Sequence, residues 1–367
     1  MKRTQVIEQF KDSKIARRLL DRINRSKQKV SLMEVCGTHT VQIFKTGVRA
    51  GINSNIKLLS GPGCPVCVTS VGDVDKAIAI ASSKDVILCC FGDMIKVPGT
   101  SESLDLAKGK SGANVKIMYS PIEALGLAKQ FPNKKIVLFG VGFETTIPAF
   151  ASVLVRAKQQ NIKNLFIFPV FKLIPPAISV LLESKFINID GFILPGHVST
   201  IIGQKQYQFI AEEFGKPAVI TGFEVVDILE GILFLLEMIE RKQPDIRIEY
   251  GRSVSPQGNT LAMQTIFNVF EKADVEWRGL GTIKQSGLKL NHKFSEFDVD
   301  RVLEIKIKLS KENPKCICGN VIKGINQPLD CKLYAKECSP EHPVGPCMVS
   351  SEGTCSAFYK YGEQHDS

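Results

Sequence analysis

The chain has 367 residues, 44% hydrophobic and 23% charged, which excludes a disordered, collagenous or coiled-coil chain and suggests two or three domains. Its net charge is +10, and residues 1–29 alone carry +7, with only Glu8, Asp12 and Asp21 against their basic side chains. No stretch approaches the ~20 uncharged residues that span a bilayer, because the longest apolar run, 225–239, contains Asp227, Glu230 and Glu237. Residues 1–14 lack the apolar core of a secretory signal. A cytoplasmic protein with no membrane partner is therefore expected.

Residues 1–29 read as an amphipathic helix, with Val6, Phe10, Ile15, Leu19 and Ile23 near helical spacing. Its basic face is not interleaved with stacking aromatics, so a nucleic-acid partner is not expected. Apolar, β-rich runs follow at 30–35, 56–60, 86–91, 115–119, 136–141, 165–170, 191–194 and 218–221. Helical patterns lie between them, at 74–82, 121–130, 147–160, 175–183 and 223–241. Continuous apolar strands alternating with helices predict parallel sheets covered on both faces. The expected fold class is α/β. Two parallel-sheet domains, 30–119 and 120–245, face a cleft. A third, mostly helical domain spans 246–367, with helices at 260–273 and 298–309, completed by residues 1–29.

In open α/β sheets, ligands bind beyond the carboxyl ends of the strands, and four such loops carry unusual residues. The first strand runs into Cys36-Gly37-Thr38-His39-Thr40. A helix N-terminus there favours thiolate, the nucleophilic and metal-binding form, and His39 can serve as second ligand or base. A lone Cys-x-x-His is equally met as a buried thiol and a satisfied imidazole. The second strand runs into Gly61-Pro62-Gly63-Cys64-Pro65-Val66-Cys67. A Cys-x-x-Cys on a tight turn can cycle between dithiol and disulfide. Half a zinc site and a purely structural role are its rivals, though no second Cys-x-x-Cys completes a zinc ribbon. Two further loops hold Glu144 and His197; the first can be a cleft acid or a capping carboxylate, the second structural or functional. Cys89 and Cys90 fall inside an apolar strand and read as inert core.

Tempting nucleotide motifs fail. Gly109-Lys110-Ser111 lacks the leading glycine of a phosphate loop, and Thr145 stands where a dinucleotide fingerprint needs its third glycine. The tail is more specific. Six of the 11 cysteines lie between residues 316 and 355. Cys316, Cys331, Cys338 and Cys355 are separated by 14, 6 and 16 residues, which is neither a zinc ribbon nor compact ferredoxin spacing. Four thiolates gathered by folding can hold an iron–sulfur cluster or zinc. Cys318 and Cys347 remain as a possible extra dithiol pair. Disulfides are not expected in a cytosolic chain.

The segments MEVCGTHT, GPGCPVCVTS, GFETT, LPGHVS and CMVSSEGTCSAFYKY together resemble the HypD family, which serves the maturation of nickel–iron hydrogenases. They run from near the start to near the end of the chain. The tail spacing is similar to that family's cluster motif. Thr38 departs from the pattern, where many relatives have a second glycine. The resemblance implies a scaffold that builds an Fe(CN)2CO group in a cleft between two α/β domains and a third domain with a [4Fe-4S] cluster. It implies Cys36 as ligand of that transient iron, with His39 nearby, and a redox-active pair at Cys64 and Cys67. It implies Cys316, Cys331, Cys338 and Cys355 as cluster ligands, and Cys318 and Cys347 as an electron relay similar to that of ferredoxin:thioredoxin reductase. Glu144 and His197 are implied as cleft residues without an assigned role. The implied partners are a small HypC-like chaperone, a HypE-like cyanide donor and, indirectly, the hydrogenase large subunit. Whether the chain itself transfers the diatomic ligands is left open. An iron–sulfur-dependent thiol–disulfide reductase and a zinc-stabilised binding module are the rival functions.

Overall fold

The structure, a computed structural model, describes residues 12–184, 187–305, 307 and 310–362. Its strands are β1 (Val30–Glu34), β2 (Ile56–Ser60), β3 (Val86–Phe91), β4 (Val115–Met118), β5 (Lys135–Gly140), β6 (Leu165–Pro169), β7 (Gly191–Pro195), β8 (Ala218–Thr221), β9 (Ile246–Ile248), β10 (Phe270–Trp277) and β11 (Gly281–Leu290). One parallel sheet has the order β2-β1-β7-β8-β9 and a second, also parallel, the order β4-β3-β5-β6. The α/β class with two parallel sheets is thus as expected. All eight expected strands are present, because helices cover both faces and leave the strands apolar almost throughout, as in the fully buried β7.

The expected division at residue 120 does not separate the sheets. It falls between β4 and β5, which belong to the same sheet. The chain leaves the first sheet after β2, builds the whole second sheet as an insertion, and returns at β7. Strand membership is decided by these long crossovers, which local pattern does not encode.

Apolar residues fill the space between the sheets, where Phe139, Phe192 and Trp277 are buried together with the tail's Cys347 and Met348. The outer face of the second sheet is covered by helices Ile147–Gln159 and Thr260–Val269. That of the first is covered by helix Val225–Arg241. Helix Ser13–Asn24 packs on this last helix, with Ile23 fully buried and Arg22 paired to Glu237 at 3.1 Å. The N-terminal helix therefore belongs to the first sheet's cover and does not complete the third domain. Val6 and Phe10 lie outside the described residues.

The region after β9 holds less helix than expected. The helix starting at Thr260 stops at Val269, and the chain enters the antiparallel hairpin β10–β11. Between 298 and 305 only the short 3-10 turn Val299–Arg301 forms; residues 306, 308 and 309 of that expected helix lie outside the described residues. The hairpin is tied to the α/β loops by bridges Thr69 to Trp277 and Lys172 to Gly287. The cysteine-rich tail consists of short helices, Cys318–Ile322, Pro346–Val349 and Thr354–Tyr361, joined by turns. Among the described residues no helix is long and apolar enough to cross a membrane.

Candidate metal and redox site

The first sheet reverses its winding between β1 and β7: β2 lies outward on one side, β8 and β9 on the other. A crevice opens beyond the carboxyl ends of the two strands at such a switch point. Cys36 follows β1 directly and caps helix Gly37–Lys45. The 61–64 loop, arriving from β2, lies against its backbone. Gly37 N donates to Gly63 O at 3.0 Å, and a Cβ on Gly63 would sit 2.3 Å from Cys36 N. Only glycine permits this approach. The tail closes the other side, where Thr38 Oγ1 donates to Glu352 Oε1 at 2.7 Å and Phe44 meets Phe358 edge-on at 4.5 Å.

The expectation of a thiolate at Cys36 is corrected here. Burial pushes its thiol up to about 11, outweighing the backbone hydrogen bonds from His39 and Thr38 that act the other way. The free side chain is a neutral thiol at pH 7, and a metal bound to it must displace the proton.

His39 is fully buried. Its Nε2 lies 2.8 Å from Gly222 O and 2.9 Å from Thr221 Oγ1, both at the end of β8. Burial holds its pKa down at about 4, so the ring is neutral. Nε2–H donating to the Gly222 carbonyl leaves Nδ1, buried and without a protein partner, as the free lone pair. The ring stacks on Phe223 at 4.7 Å, and His197, exposed at the start of helix Gly196–Ile202, stacks on the same phenyl ring at 3.9 Å. Behind them, Gly222 N donates to Glu249 Oε2 at 2.9 Å, and Arg252 bonds the buried Asp227 at 2.5 Å. This network fixes the β8 loop that holds His39.

Cys64 caps the short helix Pro65–Val68, its Sγ accepting from Cys67 N at 3.2 Å. Helix Pro346–Val349 packs on it, and the Cys67 thiol touches that of Cys347. Cys347 in turn touches Cys318 and Cys355. Cys316, Cys318, Cys331, Cys338 and Cys355 line one small enclosed cavity with Val321, Leu333, Tyr334 and Met348. A line of thiols thus runs from the Cys64–Cys67 turn, through Cys347 and Cys318, to the tail cavity. Burial raises the Cys67 thiol well above its ordinary value, and hydrogen bonding to Cys318 does the same for Cys347. Among the described residues no three His, Cys, Asp or Glu side chains converge on a point as a single metal ion requires. The tail cysteines surround a space instead. Soft thiolates around an apolar, enclosed cavity suit metal or iron–sulfur binding.

Glu144 follows β5 at the second sheet's switch point and lines a different cleft, of about 410 Å³, with Leu173, Phe209, Met263 and Lys272. It is buried, its Oε1 accepting from Ile174 N at 2.9 Å and its Oε2 without a partner. Burial lifts its pKa to about 7. Cys89 and Cys90 are fully buried in β3, as expected.

Three residues escaped the sequence reading. Glu34, two residues before Cys36, is fully buried, bonded by Ser60 at 2.8 Å and lifted to about 7 by burial; a carboxylate inside an apolar strand was the available signal. Tyr207 is fully buried, its hydroxyl accepting from Ser199 Oγ at 3.4 Å, and nothing local marks it. Phe223, stacked between two histidines, looks in sequence like one more core aromatic.

The model of the HypD family, described as the hydrogenase formation hypA family, matches residues 14–362. The chain is 40% identical over 370 residues to hydrogenase maturation factor HypD2 of Bradyrhizobium diazoefficiens, covering 98% of this chain and 97% of that one. It is 40% identical over 367 residues to hydrogenase maturation factor HypD of Azotobacter vinelandii, covering 98% and 97%. With hydrogenase maturation factor HypD of Escherichia coli K12 it shares 42% over 334 residues, covering 91% and 89%. A family model matched over nearly the whole chain, and relatives at this identity over nearly their whole length, leave one assignment: the chain belongs to the HypD family.

Proposed function

We propose that the chain acts in hydrogenase maturation as scaffold and redox factor for an Fe(CN)2CO group. In this reading the iron, as substrate, is held by Cys36 in the β1–β7 crevice together with a small HypC-like partner. A HypE-like donor supplies cyanide. The observation that carries the reading is the line of thiols joining the Cys64–Cys67 turn, which lies against the Cys36 loop, to the four-cysteine cavity.

The residues present fit a [4Fe-4S] cluster. Cys316, Cys331, Cys338 and Cys355 all line one small apolar cavity, and four soft thiolates are the donor set such a cluster takes. When bound, the cluster supplies electrons. Cys347 and Cys318 bridge the space between it and Cys67, so that a disulfide between Cys64 and Cys67 can accept two electrons and two protons to become a dithiol. Cys36 gives up its thiol proton and donates through sulfur, the soft donor that low-spin iron with strong-field ligands prefers. His39, neutral and fixed through Nε2, presents Nδ1 as an acceptor for a proton or as a lone pair that orients the ligand sphere. Burial of Cys36, Cys64 and Cys67 keeps water from the iron. The rival reductase reading leaves the buried Cys36–His39 pair without a task.

Infrared spectroscopy of the chain co-purified anaerobically with its small partner tests the proposal. CN and CO stretching bands are expected in the complex. Their absence from a complex that carries a full brown cluster would overturn the scaffold role.

A further inference from the structure

The turn between β10 and β11 is pressed into the tail. Gly279, at φ +80°, lies so close to Gly319 that a Cβ would meet its Cα at 2.4 Å. Gly319 is next to Cys318. The neighbouring Arg278 is 4% exposed, its backbone N donating to Val68 O at 2.8 Å and its guanidinium donating to Pro98 O at 3.3 Å. Glu312 lies 3.5 Å from its Nε and is half exposed. The guanidinium lines a cleft of about 1070 Å³ that reaches Cys316 and Cys318 from the second sheet's side. In the same cleft, Val344 N donates to Cys338 Sγ at 3.4 Å. A Cβ on Gly345 would lie 2.5 Å from Cys318 Sγ and 2.7 Å from Cys316 Sγ. A nearly buried cation and a backbone N–H group therefore lie along the same cleft as the tail sulfurs.

A cluster's reduction potential rises with positive charge nearby and with hydrogen bonds to its sulfurs, because both stabilise the extra electron. A buried charge is weakly screened, so its effect outlasts that of surface lysines. Resting on the cluster assignment above, we propose that Arg278 is a positioning residue that sets the potential of the tail cluster, holding it above the value the four thiolates alone would give, with Glu312 as a counter-charge that moderates the effect.

The test is a redox titration of the full-length chain, purified anaerobically and followed by electron paramagnetic resonance, with iron and sulfide measured on each sample. Arg278→Met is expected to keep the cluster and shift its midpoint to more negative potential. Glu312→Gln is expected to shift it, by less, to more positive potential. Arg278→Met at the wild-type potential overturns the proposal. If Arg278→Met fails to retain its cluster, Glu312→Gln decides: an upward shift supports the role, and no shift overturns it. A wild-type chain without iron and sulfide would overturn the cluster assignment itself, a separate failure.

Discussion

The crevice around Cys36 and the cysteine-rich tail place their thiols by different means. Cys36 stands at the end of a central strand, and its loop is held by Gly63, Thr38 and the stacked rings of His39, Phe223 and His197. The tail has short helices and turns, and its cysteines line a cavity. The crevice is preorganised by packing that exists without metal. The tail has little regular structure of its own, so ligand binding there is also folding energy. On the reading proposed above, the crevice should keep its shape without iron, and the tail should lose its shape without its cluster.

The largest effect follows from the tail. Cys331→Ala or Cys338→Ala should bleach the brown colour and loosen residues 316–355, a loss that approaches ~10 kcal/mol in small metal-folded domains. Hydrogen exchange should show the tail opening while the amides of β1 and β7 stay protected. Full iron and sulfide content in both variants would sink the assignment of these ligands.

Glu144 tests the second sheet's switch point, where a buried acid replaces thiols. Its folded pKa of about 7 lies above the ordinary 4.5, so its contribution to stability is full below about 4.5 and is lost as pH rises through 7. Glu144→Gln removes that loss. Relative to wild type, the variant should gain up to about 3 kcal/mol between pH 5 and pH 8. A pH-independent difference between the two proteins would contradict the buried, neutral carboxyl.

Gly63→Ala asks how tightly the crevice is set. The added Cβ would meet Cys36 N at 2.3 Å, so one backbone must shift, at about 1–3 kcal/mol. Iron loading should fall severalfold with the tail cluster intact, as iron analysis and visible absorption would show. Unchanged loading would mean that the loop contact does not position Cys36. The smallest structural effect belongs to Cys64 and Cys67. Alkylation mass spectrometry across a redox titration should show both changing together, with the thermal transition nearly unmoved. If both remain alkylatable under oxidising conditions, the pair is not a dithiol switch.

The unequal legibility of these regions has physical causes. The eight expected strands were readable because burial on both faces leaves them continuously apolar. The β10–β11 hairpin was not, because β10, with sequence FEKADVEW, has charged residues facing solvent and imitates the end of a helix. Sheet membership was hidden by the crossover from β2 to β7. Cys36, His39 and the Cys64–Cys67 turn were visible as motifs at strand ends, and the structure gathers their loops. The charge state of Cys36 was misread, because the helix N-terminus was legible and the burial that outweighs it was not. The contact of Cys67 with Cys347 joins residues far apart in the chain, and no local pattern announces it. Tyr207 is invisible for the same reason.

The central claim is that Cys36 anchors the iron, separately from the tail. The most direct measurement is the infrared CN and CO bands of the Cys36→Ala chain co-purified anaerobically with its small partner, read beside its visible absorption. The account predicts a folded, brown protein without those bands. Bands of wild-type intensity would remove Cys36 from the mechanism and move the iron site to the Cys64–Cys67 pair.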